Sequence, residues 1–234
     1  MKINKIIENK KIPIAFKARE YAVIKTTLQN CSQTLNAYKL EYSDRNFLDV
    51  MSAGIKLKKL TEGQNYPDRM LRSWKKIINN AVLMAGFDEP QNSFLLVKDK
   101  TPCAIISYKN MPDCYLDNIA SWPVSQNNYV KLAGTSLFKL LFYNCEKNNT
   151  RKIGLDVLKN SRIDLKKYYS GLGFVDNSNT EQFITDMYIS RAKMLETARN
   201  MDSFIKIQEV QNPLRVNLSK ILNIKFVARE TPKK

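Results

Sequence analysis

One segment of this chain, residues 134–146, predicts a helix that is apolar almost all the way round. Its apolar side chains are Leu137, Phe138, Leu140, Leu141, Phe142 and Tyr143. A helix of this kind must be covered on more than one side, as it is when it packs against a β-sheet. The chain is therefore constrained to a fold in which strands and helices form layers.

Short apolar runs on both sides of that helix predict the strands of the sheet. Residues 94–97 and 103–108 flank a polar loop and predict an antiparallel pair, and residues 115–120 predict a third strand. Further strands are predicted over 152–158 and 182–190, with a short helix between them that ends at 171–174. Two helical crossovers imply parallel pairing. The predicted fold class is α/β, a central mixed β-sheet flanked by helices.

The chain divides into three segments by pattern. Residues 1–90 are predicted to be mainly helical, with one amphipathic helix over 69–86. Residues 91–190 hold the strand and helix alternation. Residues 191–234 are predicted as a basic C-terminal extension that begins with a helix over 190–200.

Charge and composition limit the chemistry. The net charge is +16, and residues 1–90 contribute 16 basic against 9 acidic side chains, residues 191–234 10 against 4. Either these charges are a solvated surface, or they steer an anionic partner such as an acidic protein or tRNA. Histidine is absent, which excludes a histidine base and histidine metal ligands. The four cysteines have no metal-ligand spacing, and we expect buried, reduced thiols and no metal.

The sequence predicts a cytoplasmic protein. Its longest charge-free runs, residues 26–38 and 118–130, have only 13 residues and are polar, whereas a membrane span needs about 20 apolar residues. The apolar stretch near the N-terminus, residues 12–16, is too short for a signal-peptide core. Secretion by a route without such a peptide stays open.

A strand-to-helix turn precedes the apolar helix. Small residues there expose backbone N–H groups at a helix N-terminus, which is where phosphates bind. The amides of residues 132–136 would supply most of the donors, and Lys131 a nearby cation. The turn is therefore a candidate phosphate site, although many strand-to-helix junctions contain a glycine without binding anything.

Three motifs follow one another in the sequence: D-N-I-A-S-W-P from Asp117, A-G-T-S-L-F-K-L-L from Ala133, and Y-Y-S-G-L-G-F from Tyr168. In this order they resemble the GNAT superfamily of acyl-CoA-dependent N-acyltransferases, over about residues 94–190. The resemblance implies a sheet whose two middle parallel strands splay apart to admit the acyl-pantetheine of acetyl-CoA.

The resemblance also implies the residues that bind the acyl-CoA. The backbone of Ile119, Ala120 and Ser121 would hydrogen-bond the pantetheine, and Asn160 would contact the cofactor. The pyrophosphate would lie on the turn formed by Lys131, Leu132, Ala133, Gly134, Thr135 and Ser136. The family pattern R/Q-x-x-G-x-G/A fits this turn in two registers. In the preferred one Tyr129, Leu132 and Gly134 fill its three positions, and in the other Lys131, Gly134 and Ser136 do.

The implied activity is transfer of acetyl to a primary amine by direct attack in a ternary complex. Tyr169 matches the family's general acid, with Tyr168 as the alternative. The general base is Asp117, Asp113 or water. The acceptor is a protein lysine or N-terminus, a small amine, or aminoacyl-tRNA. The alternative to an enzyme is a catalytically silent member of the family that uses its basic flanks to bind RNA or a protein.

Overall fold

The computed structural model describes residues 17–29, 31–41, 68–85, 91–110, 112–121, 130–158, 164–177 and 184–222. These residues form ten strands and five helices. In chain order they are β1 (Lys17–Leu28), β2 (Cys31–Leu40), α1 (Asp68–Met84), β3 (Gln91–Lys98), β4 (Thr101–Asn110), β5 (Cys114–Ser121), α2 (Ala133–Lys147), β6 (Lys152–Leu158), α3 (Leu165–Gly171), β7 (Val175–Asp176), β8 (Ile184–Ser190), α4 (Arg191–Met201), β9 (Ile205–Glu209), β10 (Arg215–Asn217) and α5 (Leu218–Ile221).

All ten strands belong to one sheet. Its order is β10-β1-β2-β3-β4-β5-β6-β8-β7, and β9 also pairs with β1. The β5–β6 pair is parallel, and the other pairs are antiparallel. The predicted mixed sheet with helices on its faces is confirmed, and strands from all three segments of the chain take part in it.

Two apolar cores cover the two faces of the sheet. The larger one contains α2, α3 and α4. Five consecutive or near-consecutive residues of α2 are fully buried there: Leu137, Phe138, Leu140, Leu141 and Phe142. The smaller core on the opposite face contains Ile78 and Ala81 of α1 together with Leu218 beyond β10. The apolar helix is thus covered on more than one side, as its sequence predicts.

The prediction of a mainly helical N-terminal region is wrong for residues 17–40, which form β1 and β2. Alanines favour helices in isolation, but Ala18, Ala22 and Ala37 are buried in the sheet. A register shift in β1 between Glu20 and Ala22 also breaks the alternation that marks a strand. Pairing with distant strands overrides the local preference. The predicted helix over 69–86 is confirmed as α1.

The prediction of parallel pairing after the second helix is also wrong. Strands β6 and β8 are antiparallel, with Lys152 opposite Ser190 and Leu158 opposite Ile184. The reason is the two-residue strand β7, which follows α3 and pairs antiparallel with β8. The chain therefore reverses direction once more than the sequence pattern indicates.

The C-terminal segment starts with the predicted helix, α4, and then returns to the N-terminal edge of the sheet. Residues 205–209 of β9 pair with 22–26 of β1, and residues 215–217 of β10 pair with 17–19. The backbone of β1 is thereby covered along much of its outer side.

The structure also describes the burial of the cysteines, the length of the helices and the grouping of possible metal ligands. Cys103, Cys114 and Cys145 are buried free thiols, as predicted, whereas Cys31 is exposed. None of the helices in the described ranges is long and apolar enough to cross a membrane. No group of three or more metal-ligating side chains occurs among the described residues.

Candidate functional site

A gap opens in the sheet between β5 and β6. The two strands pair in parallel over three residues each, 114–116 with 153–155. Beyond that point β5 continues to Ser121 and β6 to Leu158, and no pair joins these described residues across the gap. On its other side β5 stays paired with β4 up to Ser121. The edge of β5 that faces β6 is therefore open over residues 117–121, and an open edge is a template for an added strand.

Asp117 lies where the gap begins, at a β-bulge. Leu116 pairs with Tyr108 and Asn118 with Ser107, so Asp117 is the extra residue on β5. Its Oδ1 is 3.8 Å from Lys109 Nζ, and its buried Oδ2 has no hydrogen-bond partner among the described residues. Burial raises the pKa of this carboxyl, and Lys109 opposes the shift. A carboxylate with a raised pKa at this position is suited to accept a proton.

Tyr115 lies two residues before Asp117 on β5. Its ring packs over Gly154 of β6, since a Cβ on that glycine would lie 3.4 Å from Tyr115 Cδ2. Its hydroxyl hydrogen-bonds Asp156, and burial together with that carboxylate raises the pKa of Tyr115. The phenol therefore stays protonated and does not act as a base, and Asp117 is the carboxylate that β5 itself places at the gap.

The end of β5 carries the residues predicted to bind the pantetheine. Ile119 is partly buried against the larger core, Ala120 is buried against the smaller one, and Ser121 is exposed. Their backbones pair with Ile106, Ile105 and Ala104 of β4. One edge of this segment is thus fixed by the sheet while the other faces the gap.

The turn before α2 is held in an unusual backbone conformation. Leu132 has φ 61° and ψ 11°, the left-handed region that favours glycine. In the preferred register Leu132 takes the place of the pattern's first glycine, and its conformation agrees with that alignment. Gln33 of β2 donates a hydrogen bond to the carbonyl of Lys131 and holds the turn from the other side.

Among the described residues, no side chain caps the N-terminus of α2. The N-cap residue Leu132 makes no side-chain capping bond, and the first turn holds no acidic residue. The amides of Ala133, Gly134 and Thr135 therefore lack the side-chain partner that a capped helix provides. The amide of Ser136 differs, because it donates to Leu132 O at 2.7 Å. Its side chain is fully buried, so Ser136 is not among the available donors, contrary to the prediction.

Gly134 is where three elements meet. A Cβ on this glycine would lie 3.1 Å from Ser121 Oγ of β5 and 3.7 Å from the Tyr168 hydroxyl of α3. The absence of a side chain is thus what allows the end of β5, the start of α2 and α3 to approach each other. The gap in the sheet therefore ends directly at the uncapped helix N-terminus.

Tyr169 lies inside the aromatic core next to this junction. It is 8% exposed, and its ring contacts those of Phe138 and Phe174 at centroid distances of 5.8 and 6.0 Å. Burial raises the pKa of Tyr169 to about 12. The phenol keeps its proton at neutral pH, as a general acid must before it reacts.

The side chain of Tyr168 lies towards the first turn of α2. Its side chain is 40% exposed, and its hydroxyl has a hydrogen bond with Thr135 in the first turn of α2. Burial raises the pKa of Tyr168, and the Thr135 bond opposes the shift. The two neighbouring tyrosines thus contact different parts of the site.

Several predicted residues lie elsewhere. Asn160 and Tyr129 are outside the described residues. Asp113 precedes β5 and pairs with Arg151 and Lys152 at 3.3 and 3.6 Å. It lies before the paired residues 114–116, on the side of them away from the open edge, so it is not part of the gap. Lys131 is exposed beside the turn, as predicted.

Sequence reasoning missed Gln33, which contacts the turn from a strand 98 residues away. No local pattern marks such a residue, because its role depends on the pairing of β2 with β3. It also passed over the side chain of Ser121, whose proximity to Gly134 arises only once β5 and α2 are packed.

The chain thus has a mixed α/β fold in which one parallel strand pair is open and leads to an uncapped helix. Solved structures that are similar to it are described as N-acetyltransferases. A GNAT-family acetyltransferase from Staphylococcus aureus has a TM-score of 0.43 at 15% identity, over 66% of this chain and 99% of that one. The PaiA N-acetyltransferase from Thermoplasma acidophilum, in complex with coenzyme A, has a TM-score of 0.42 at 16% identity, over 66% and 98%.

A spermidine N-acetyltransferase SpeG chimera from Vibrio cholerae and hSSAT has a TM-score of 0.43 at 17% identity, over 69% of this chain and 98% of that one. No family model and no curated protein matches the chain. At these TM-scores and identities the likeness assigns neither an activity nor a substrate to this chain.

Proposed function

We propose that this chain is an acyl-CoA-dependent N-acyltransferase, most simply an acetyltransferase. The observation that carries the proposal is the gap between β5 and β6, which ends at the uncapped N-terminus of α2. An extended, amide-bearing arm needs an open strand edge, and a pyrophosphate needs free amides at a helix N-terminus. Acyl-CoA carries both groups on one molecule.

The residues of the gap fit such a substrate. The backbone of Ile119, Ala120 and Ser121 would pair with the pantetheine along the edge of β5 that faces β6. The amides of Ala133, Gly134 and Thr135 would hold the pyrophosphate, with the helix dipole and the Lys131 ammonium favouring its charge. Asn160 remains a proposed contact that rests on the family resemblance. The bound substrate supplies an activated thioester.

In the proposed reaction the nitrogen of a primary amine attacks the thioester carbonyl in a ternary complex. Asp117 accepts a proton from that nitrogen, which a desolvated carboxylate of raised pKa does readily. Tyr169 gives its proton to the departing thiolate. The C–N bond forms as the C–S bond breaks, and the products are the amide and free CoA.

The acceptor is proposed only as a primary amine. A protein lysine or N-terminus, a small amine and aminoacyl-tRNA each fit that description, and the basic flanks would recruit an anionic acceptor. Free buried thiols at Cys103, Cys114 and Cys145 support a reducing, cytoplasmic location. Binding that weakens steeply with salt would point to the nucleic-acid acceptor.

Titration calorimetry with acetyl-CoA, run alongside free CoA, tests the proposal. We expect micromolar dissociation constants, about −8 kcal/mol of binding free energy. Turnover is then followed by release of free thiol against a screen of amines, peptides and charged tRNA. A folded protein that gives neither heat nor thermal stabilisation at millimolar ligand would overturn the proposal.

A further inference from the structure

We propose that Tyr168 is a further binding residue at the phosphate-binding turn, where its hydroxyl donates a hydrogen bond to the acyl-CoA phosphates and so contributes to affinity, while its neighbour Tyr169 acts in turnover. This inference rests on the proposed function. It assigns a separate role to each of two adjacent phenols on α3.

The first observation is where the Tyr168 hydroxyl lies. It is 3.7 Å from the position that a Cβ on Gly134 would occupy, and Ser121 Oγ is 3.1 Å from the same point. Two hydroxyls from β5 and α3 thus flank the second residue of α2. They border the first three amides of α2, which are the donors proposed for the pyrophosphate.

The second observation is the bond between Tyr168 and Thr135. This bond holds the Tyr168 hydroxyl against the first turn of α2. A hydroxyl has one donor and two acceptor sites, so it can bond Thr135 and one further oxygen at the same time. A phosphate oxygen is a strong acceptor for such a donor.

The third observation is that the ring of Tyr168 is fixed from one side. It packs edge-on against Phe138 at 6.1 Å and against Tyr169 at 5.4 Å between centroids. The ring therefore places its hydroxyl without large loss of side-chain freedom on binding. Replacement by phenylalanine keeps these ring contacts and removes the hydroxyl alone.

The contrast with Tyr169 separates the two roles. Tyr169 is 8% exposed and lies among Phe138 and Phe174, whereas Tyr168 is 40% exposed and lies against the turn. Consecutive residues on a helix point about 100° apart. The two hydroxyls therefore lie in different surroundings although the rings touch, and the two variants differ in which quantity they change most.

The test compares Tyr168→Phe with Tyr169→Phe, using two thioesters. Acetyl-CoA carries the pyrophosphate, and S-acetylpantetheine has the same reacting group with no phosphate. Binding of CoA and of pantetheine is measured by calorimetry, turnover by thiol release, and folding by thermal unfolding.

For Tyr168→Phe we expect CoA binding to weaken roughly tenfold, as for loss of a hydrogen bond to a charged group. We expect binding of pantetheine, which carries no phosphate, to weaken much less than binding of CoA. For Tyr169→Phe we expect unchanged CoA binding and a lower kcat with both thioesters.

Two results would overturn the role of Tyr168 while leaving the proposed function in place. One is unchanged CoA binding in Tyr168→Phe, and the other is an equal loss with pantetheine, which would indicate general disturbance of the fold. If the unsubstituted protein binds no CoA, the proposed function fails, and the role of Tyr168 fails with it.

Discussion

Strand β5 has two sides that differ in how much they are paired. Towards β4 it is hydrogen-bonded from Cys114 to Ser121, with one bulge. Towards β6 it is bonded only over residues 114–116. The paired side belongs to the continuous sheet, and the open side ends at a helix N-terminus that no described side chain caps. One strand thus contributes to stability through one edge and offers a binding edge through the other.

The largest expected effect is a loss of stability, from a substitution in the core that packs on the sheet. Phe94 on β3 is 2% exposed and contacts the rings of Tyr21 and Tyr108 at 4.8 and 6.1 Å. Phe94→Ala should lower the free energy of unfolding by about 3–5 kcal/mol, because it removes a buried ring and leaves a cavity. Urea unfolding measures this. CoA affinity of the folded fraction should be unchanged, and a parallel loss of affinity would show that the two sides are not separable.

The next largest effect is a loss of CoA affinity, from a substitution where the open side of β5 meets α2. Gly134→Val places carbon against Ser121 Oγ and the Tyr168 hydroxyl and blocks the approach of a ligand to the backbone. We expect CoA binding of the folded protein to weaken roughly a hundredfold, about 2.7 kcal/mol, and the urea midpoint to fall as well, because Ser121 must shift to admit the side chain.

Gly171→Val is the matched control, since a Cβ at Gly171 meets nothing within 4 Å. It should bind CoA normally. If Gly134→Val also binds normally, the pyrophosphate does not lie on this turn.

A third substitution tests the proposed general acid, which lies in the core beside the gap. Tyr169→Phe keeps the ring contacts with Phe138 and Phe174 but removes the proton donor. Turnover should fall at least tenfold, about 1.4 kcal/mol of activation free energy, with CoA affinity unchanged. Steady-state kinetics with calorimetry separates the two quantities. Full turnover in the variant would remove Tyr169 from the mechanism.

The smallest expected effect concerns Asp117, where the two sides of β5 meet. Because burial raises its pKa in the folded state, the folded protein binds this proton more tightly than the unfolded chain. The free energy of unfolding should therefore fall as the pH rises from the unfolded value near 3.8 through the folded pKa.

Asp117→Asn removes the charge and should raise the urea midpoint slightly at pH 7, while the gain vanishes at acidic pH. Asp113→Asn is the comparison, because that carboxylate is paired with Arg151 and Lys152 and stands away from the gap. A pH-independent difference at Asp117 would contradict the burial argument.

Much of the middle of the fold could be predicted from the sequence, because its elements carry local signals. The all-round apolar residues of α2 require burial on several sides, and the apolar runs of β3, β4 and β5 are bounded by turn residues. The strands β1 and β2 could not be predicted in this way, since their buried positions are often alanine and β1 shifts register after Glu20. The pairing at the outer edge of β1 involves β9, about 180 residues further along the chain.

The site was predictable in its backbone and less so in its side chains. A strand-to-helix turn before Gly134 follows from local pattern, and the geometry of Leu132 agrees with the alignment made there. The Ser136 amide donates its hydrogen bond to Leu132 because the helix starts there. The bond of Tyr168 with Thr135 forms because α3 packs against α2. Neither is encoded within a few neighbouring residues.

The return of β9 and β10 to β1 has a consequence for the order in which the protein can be completed during synthesis. Residues 17–26 of β1 emerge first from the ribosome, yet their partners on that edge are residues 205–217. At about 5–20 residues per second, roughly ten seconds or more separate the two. Until then the outer edge of β1 lacks these partners, and exposed strand edges pair with other chains. We therefore expect a chain stopped before residue 205 to aggregate, even though it contains the whole gap.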